Sequence, residues 1–227
     1  MSTIVPLLQA DDTDPGEASI YERIRDDIIQ GRLAANARLK VAELAERMGT
    51  STNPVREALQ QLRGEGFVVM MPNRGARVRP IDDTFVRDIF EIEVLIEPAL
   101  TRWFVSLATK ADLQALEEVQ AEIEALNFAD PQKHSQLDMT FHRLMYDRHY
   151  NRHAVDLWWR HREILSAISR QFQTSMSRQA SILAEHRELI RCISRQDADG
   201  AARIIAQHVE GSGRHIIEHM RLNQRRD

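Results

Sequence analysis

Residues 138–142 read Asp-Met-Thr-Phe-His. Asp138 and His142 are four apart, so on a helix both side chains leave the same face and can reach one ion. Further along, "EHRELIRCISRQDADGAARIIAQH" carries His186 near its start and His208 at its end. Between them the polar break "SRQD" ends one helix, and Asp197 can cap the next. Antiparallel helices meeting at that break bring His186 and His208 to similar depth. Three imidazole nitrogens and one carboxylate oxygen suit a divalent transition ion such as Zn, Ni or Mn. A six-coordinate ion held this way keeps two positions for water or a ligand. Spacing alone does not select the set, because His134, His149, His153, His161, His215 and His219 are also available. An isolated Asp-x-x-x-His pair is more often an exposed surface feature than a site.

The elements that must hold these residues are helices in a soluble chain. At 227 residues, 43% hydrophobic and 28% charged, the chain can bury one large core or two ordinary ones. Its apolar runs are too short to span a bilayer, and its first residues lack the basic start and apolar stretch of a signal peptide. Cys192 is the single cysteine, which excludes an intrachain disulfide and fits a reducing cytoplasm. A cytoplasmic protein without a membrane partner is expected. Residues 19–80 hold eleven Lys and Arg against seven Asp and Glu, a local balance of +4 within a chain of net −4. A basic segment joined to an acidic one suggests a nucleic-acid reader coupled to something else.

Residues 1–18 read as a mobile arm. Over residues 19–80, Ile20, Ile24 and Ile28 mark a first helix stopping at Gly31, and Val41, Leu44, Ala45 and Met48 mark a second ending at Gly49. "GTSTNP" then turns into a third helix that Ser51, Thr52 or Asn53 can cap and Pro54 suits. Two β-prone runs around Pro72-Asn73-Arg74-Gly75 predict a hairpin. Residues 81–227 show only helical periodicity, with helices predicted at 84–107, 110–126, 131–149, 153–173, 177–195 and 198–221. The expected fold is mainly α: an N-terminal winged helix-turn-helix with a small β-hairpin wing, then a C-terminal antiparallel bundle of about six helices.

A third helix of this kind fits the major groove of B-DNA, where an arginine near its start can pair with guanine O6 and N7. Arg56 is the base-reading candidate. Arg38, Lys40, Arg74, Arg77 and Arg79 can meet phosphates or the minor groove. The candidate DNA contacts are therefore Arg38, Ser51, Thr52, Asn53, Arg56, Gln60, Arg74 and Gly75.

Residues 20–80 resemble the DNA-binding domain of the GntR family of bacterial transcription regulators. The resemblance rests on Gly31, Leu39, Leu44-Ala45, Gly49, "PVREAL", Gly66, Gly75 and Val78. The family usually has Pro-Gly where Ala35-Asn36 stand. It usually has a DNA-contacting arginine where Thr52 stands, so its usual operator is not carried over. From about 84 to 222, "DMTFHRLMYDRHYN" and "EHRELI" with the later Asp, Ala and His resemble the FCD domain, the effector-binding bundle of the FadR-type branch. The resemblance implies that Asp138, His142, His186 and His208 hold one metal per subunit at the floor of a ligand pocket. It also implies a homodimer, in keeping with the need for a second half-site. Where Glu93 stands the family usually has an arginine that clamps an organic-acid effector. A glutamate would repel an acid, so either the ligand is neutral or cationic, or Arg102 or Arg162 substitutes for the arginine, or Glu93 is solvated. The reading that follows is a ligand-responsive repressor that binds an inverted-repeat DNA operator and a small-molecule effector. The rival is a metal-dependent hydrolase on a helical bundle, against which the chain contains no His-Glu-x-x-His and no His-Asp dipeptide.

Overall fold

The computed structural model describes residues 18–71, 75–169 and 172–224. The arm expected over residues 1–18 and the hairpin turn at 72–74 lie almost wholly outside them. The chain divides into two compact units, Met1–Arg79 and Pro80–Asp227.

The first unit starts with α1 (Ile20–Ile29), opened by a reciprocal cap: Ser19 Oγ accepts from the Glu22 amide, and Glu22 Oε2 accepts from the Ser19 amide at 2.9 Å. After α2 (Val41–Met48) the backbone reverses at Gly49, whose φ of 68° is a left-handed conformation that favours glycine. Then follows α3 (Thr52–Gly64). Ile24, Ile28, Leu44, Met48, Val55, Leu59 and Leu62 converge in one core, closed by Phe67, Val68 and Val78. The wing strands are β2 (Val68–Met71) and β3 (Gly75–Val78). A third strand, β1 (Arg38–Leu39), was not anticipated; it pairs antiparallel with β3 to give the order β1-β3-β2. Two residues are too few for periodicity to reveal, and pairing with β3 supplies what local pattern lacks.

The second unit contains six helices among the described residues: α4 (Asp83–Leu107), α5 (Lys110–Leu126), α6 (Pro131–Tyr146), α7 (Arg152–Ser169), α8 (Met176–Ser194) and α9 (Ala198–Gln224). α9 packs along α4 and α8, and α5 lies against α6 and α8. Trp158, Tyr146, Phe104, Phe141, Leu116 and Ile123 fill the centre. α6 ends three residues before the predicted limit, because the chain turns at His149, whose Nδ1 accepts from the Asn151 amide at 3.0 Å.

Candidate metal centre and nucleic-acid interface

α6 is aimed by its start. Pro131 occupies the first turn, and Asp130 Oδ1 accepts from the amides of Gln132 and Lys133 at 2.9 and 3.0 Å. With Leu137, Phe141 and Met145 buried in the core, the neighbouring Asp138 and His142 point into the bundle. α8 brings His186, its ring stacked on Phe141 with centroids 4.3 Å apart. The turn at Gln196 (φ 56°) reverses the chain, and Asp197 Oδ1 caps α9 through the Gly200 amide at 2.8 Å. α9 thus returns alongside α8 and delivers His208. One ligand atom from each of Asp138, His142, His186 and His208 lies within 4.8 Å of the others. Asp138 Oδ1 is 4.0 Å from His142 Nε2 and 3.6 Å from His186 Nε2.

Two of the outer nitrogens have partners of their own. His186 Nδ1–H donates to Gln120 Oε1 at 2.9 Å, and His208 Nδ1–H donates to Glu185 Oε2 at 2.9 Å. His142 Nδ1 faces Glu97 Oε2 at 3.6 Å. These contacts leave the Nε2 lone pairs of His186 and His208 for the cluster centre, as metal-holding imidazoles require. His142 Nε2 and His186 Nε2 are buried and lack hydrogen-bond partners among the described residues. Burial, helped by the Arg162 guanidinium, drives the His142 pKa well below its ordinary value; burial with His208 nearby takes His186 down to about 3. Neutral imidazoles are the form a metal takes. Burial opposes ionisation of Asp138, but the Arg162 guanidinium outweighs it and holds the carboxyl well below the carboxylate range. The donor set and its orphaned nitrogens fit a divalent transition ion.

A cavity of about 500 Å³ opens onto this cluster; Asp138, His208, Arg162, Arg178, His134 and Ser212 are among its lining residues. Arg162, on α7, donates from Nη2 to Asp138 Oδ2. Arg102 lies apart from the cavity wall, exposed, its Nε donating to Asp199 Oδ1 at 2.9 Å. Glu93 is only 1% exposed, so the solvated reading of it fails. Its Oε1 lies 2.6 Å from His161 Nδ1, and it is not part of the cavity lining. Burial pushes the Glu93 carboxyl up to about 8 against the pull of Arg162. It is therefore mostly protonated at neutral pH, and the repulsion of acids expected from its residue type largely disappears.

On α3, Thr52, Asn53, Arg56 and Gln60 are exposed opposite the buried Val55, Ala58, Leu59 and Leu62. Ser51 is the N-cap residue but its side chain makes no cap bond. Its hydroxyl and the first amides of α3 can thus meet a phosphate. No hydrogen bond or ion pair engages Arg56 among the described residues. Arg38 is exposed on β1 opposite Arg77, whose Nη1 donates to the Asn36 carbonyl at 2.7 Å. Gly75 opens β3 with φ 74°, and Arg74 lies outside the described residues. Lys40 is drawn to Glu43 at 2.5 Å.

Residues 17–78 match the gntR family of bacterial regulatory proteins, and residues 88–211, more than half of the chain, match the FCD domain. The chain belongs to the GntR family and carries an FCD domain. This regulator is 26% identical over 203 residues to the HTH-type transcriptional repressor RspR of Escherichia coli K12, covering 89% of each chain. It is 24% identical over 213 residues to the uncharacterised HTH-type regulator YdhC of Bacillus subtilis, covering 93% of each. Its fold is similar to that of E. coli McbR/YncC, with a TM-score of 0.66 at 17% identity over 88% of this chain and 96% of that one. The family consists of DNA-binding transcription regulators and not enzymes, which removes the hydrolase alternative.

Several residues of the regulator's site escaped sequence reasoning. His134, one of the six further histidines, lines the cavity with its ring stacked on Phe128, centroids 4.0 Å apart. Its position four before Asp138 was the available signal. Gln120, Glu97, Glu185 and Arg178 had no signal, since each reaches the cluster from another helix or through a second side chain.

Proposed function

We propose that the regulator is a dimeric, metal-containing repressor whose bundle senses a small-molecule effector. The observation that carries this is the convergence of Asp138, His142, His186 and His208, with His186 and His208 each held at the outer nitrogen, at the base of a cavity of ligand size. Zn, Ni or Mn suits the donor set, one ion per subunit, and such an ion supplies a Lewis-acidic anchor for an effector oxygen. Arg162 takes over the acid-clamping task of the arginine that the family usually carries at position 93. It reaches the cavity from α7, and the neutralised Glu93 does not oppose it.

Repression accords with the naming of RspR as a repressor. Arg56 reads bases from the exposed face of α3, while Arg38, Ser51, Thr52, Asn53, Gln60, Arg74 and Gly75 approach the backbone and groove edges. Dimerisation is supported by a groove of about 430 Å³ between α4 and α9, rimmed by Arg87, Glu91, Glu210 and Arg214. Leu95, part of its lining, is 76% exposed. An apolar patch with both charge signs on its rim can pair with its own copy about a two-fold axis. Elemental analysis of the purified protein should give about one ion per subunit, lost in His142→Ala. Selection from random duplexes should return an inverted repeat. A metal-free wild type, or a selection with no enriched sequence, would count against the corresponding half of the reading.

A further inference from the structure

Two cluster imidazoles are held at the outer nitrogen, His186 by Gln120 and His208 by Glu185. Glu185 stands at the edge of the site with 20% of its side chain exposed, so by itself it has other rotamers open to it. Arg178 removes that freedom. Seven residues earlier on α8, it donates from Nη1 to Glu185 Oε1 at 2.9 Å. From Nη2 it donates to the His208 carbonyl at 2.9 Å and to Ser212 Oγ at 3.0 Å. One guanidinium therefore grips both the acceptor of the His208 ring and the main chain of His208 itself.

The grip is possible because residue 211 has no side chain. A Cβ at Gly211 would stand 2.5 Å from Arg178 Nη1 and 3.0 Å from its Cζ. A glycine inside α9 weakens the helix relative to alanine, and its position against the guanidinium accounts for its presence there. Arg178 is also 8% exposed, a buried cation beside a cluster that is to take another cation. The Glu185 carboxylate 2.9 Å from Nη1 offsets that charge, and the bonds to the His208 carbonyl and Ser212 fix where the guanidinium sits.

We propose that Arg178 and Gly211 form a positioning device for the metal, holding Glu185 and the His208 backbone so that the His208 imidazole presents Nε2 to the ion. Arg178 is not a ligand, and the inference rests on the metal reading above. The rival role is a staple joining α8 to α9 with no bearing on the metal.

Zinc affinity, measured on the full-length metal-free protein by competition with a chromophoric chelator, separates the two roles. Arg178→Gln should weaken binding about 10–100-fold, the usual effect of removing an outer-sphere partner, and Arg178→Lys should recover part of it. Gly211→Ala is the sharper variant, since it leaves Arg178 and all four ligands in the chain and improves helix propensity. It should weaken zinc binding about 10-fold while the Tm of the metal-free protein holds or rises, and shift the visible spectrum of the cobalt-substituted protein. A lower Tm with unchanged zinc affinity in both Gly211→Ala and Arg178→Gln would establish the staple and overturn the proposal. If wild type takes up no zinc, the metal reading itself falls and this one with it. Wild-type uptake with equally tight variants overturns the positioning role alone.

Discussion

Glu93 is a buried acid whose charge state the fold has changed. Its carboxyl is 1% exposed, Oε2 has no hydrogen-bond partner among the described residues, and burial lifts its pKa from 4.5 to about 8. Between those two values the folded protein keeps a proton that the unfolded chain releases. The native state binds more protons there, so this group's contribution falls as pH rises and levels off above about pH 8. At about 1.4 kcal/mol per unit, the loss between pH 4.5 and pH 7 is about 3 kcal/mol. Glu93→Gln preserves the shape and cannot ionise. The variant should match wild type near pH 4.5 and exceed it by about 3 kcal/mol at pH 7, in urea unfolding of full-length protein at equal metal occupancy. Half-buried His161, lowered to about 4, titrates in the same window with the opposite sign. The difference between variant and wild type is therefore the quantity to follow. If that difference is flat with pH, or wild type is the more stable at pH 8, Glu93 is ionised and paired with His161, and the burial reasoning is wrong.

Arg56→Ala should cost about 1–3 kcal/mol of specific operator binding while binding to unrelated duplex changes less, as read by fluorescence anisotropy at fixed salt; equal losses on both would make Arg56 a phosphate contact. Metal retention during dialysis at stepped pH should persist well below about pH 6.5, because burial keeps His142 neutral far below its ordinary range and takes His186 down to about 3, and exposed His153→Ala should follow the wild-type curve. Leu95→Glu should convert the dimer to a monomer by light scattering and abolish tight binding to the two-half-site operator; an unchanged mass would place the interface elsewhere.

What could be read from the chain was what local spacing encodes, and the choice of four ligands among the available histidines came from the resemblance to the FCD domain. α3 and α6 announce themselves through a cap, a proline in the first turn and an apolar period. Asp138 and His142 are i and i+4 on one such helix. His186 and His208 flank a break whose Asp197 visibly starts a helix, so their meeting follows once the hairpin is accepted. The register between helices is not local, and everything that depends on it stayed hidden: Gln120 behind His186, Glu185 behind His208, Arg178 behind Glu185, and the bare Cα of Gly211 that lets Arg178 in. Glu93 illustrates the distinction most clearly. Its place beside Ile89 and Ile96 implies that it flanks the apolar side of α4, but its ionisation depends on how completely α4 and its neighbours exclude water. That exclusion turns a residue expected to repel acids into a mostly neutral one, and Arg162, from a different helix, supplies the positive charge at the cavity. Substituting one residue type for another at a single position therefore says little about ligand charge until the side chains facing the cavity are known.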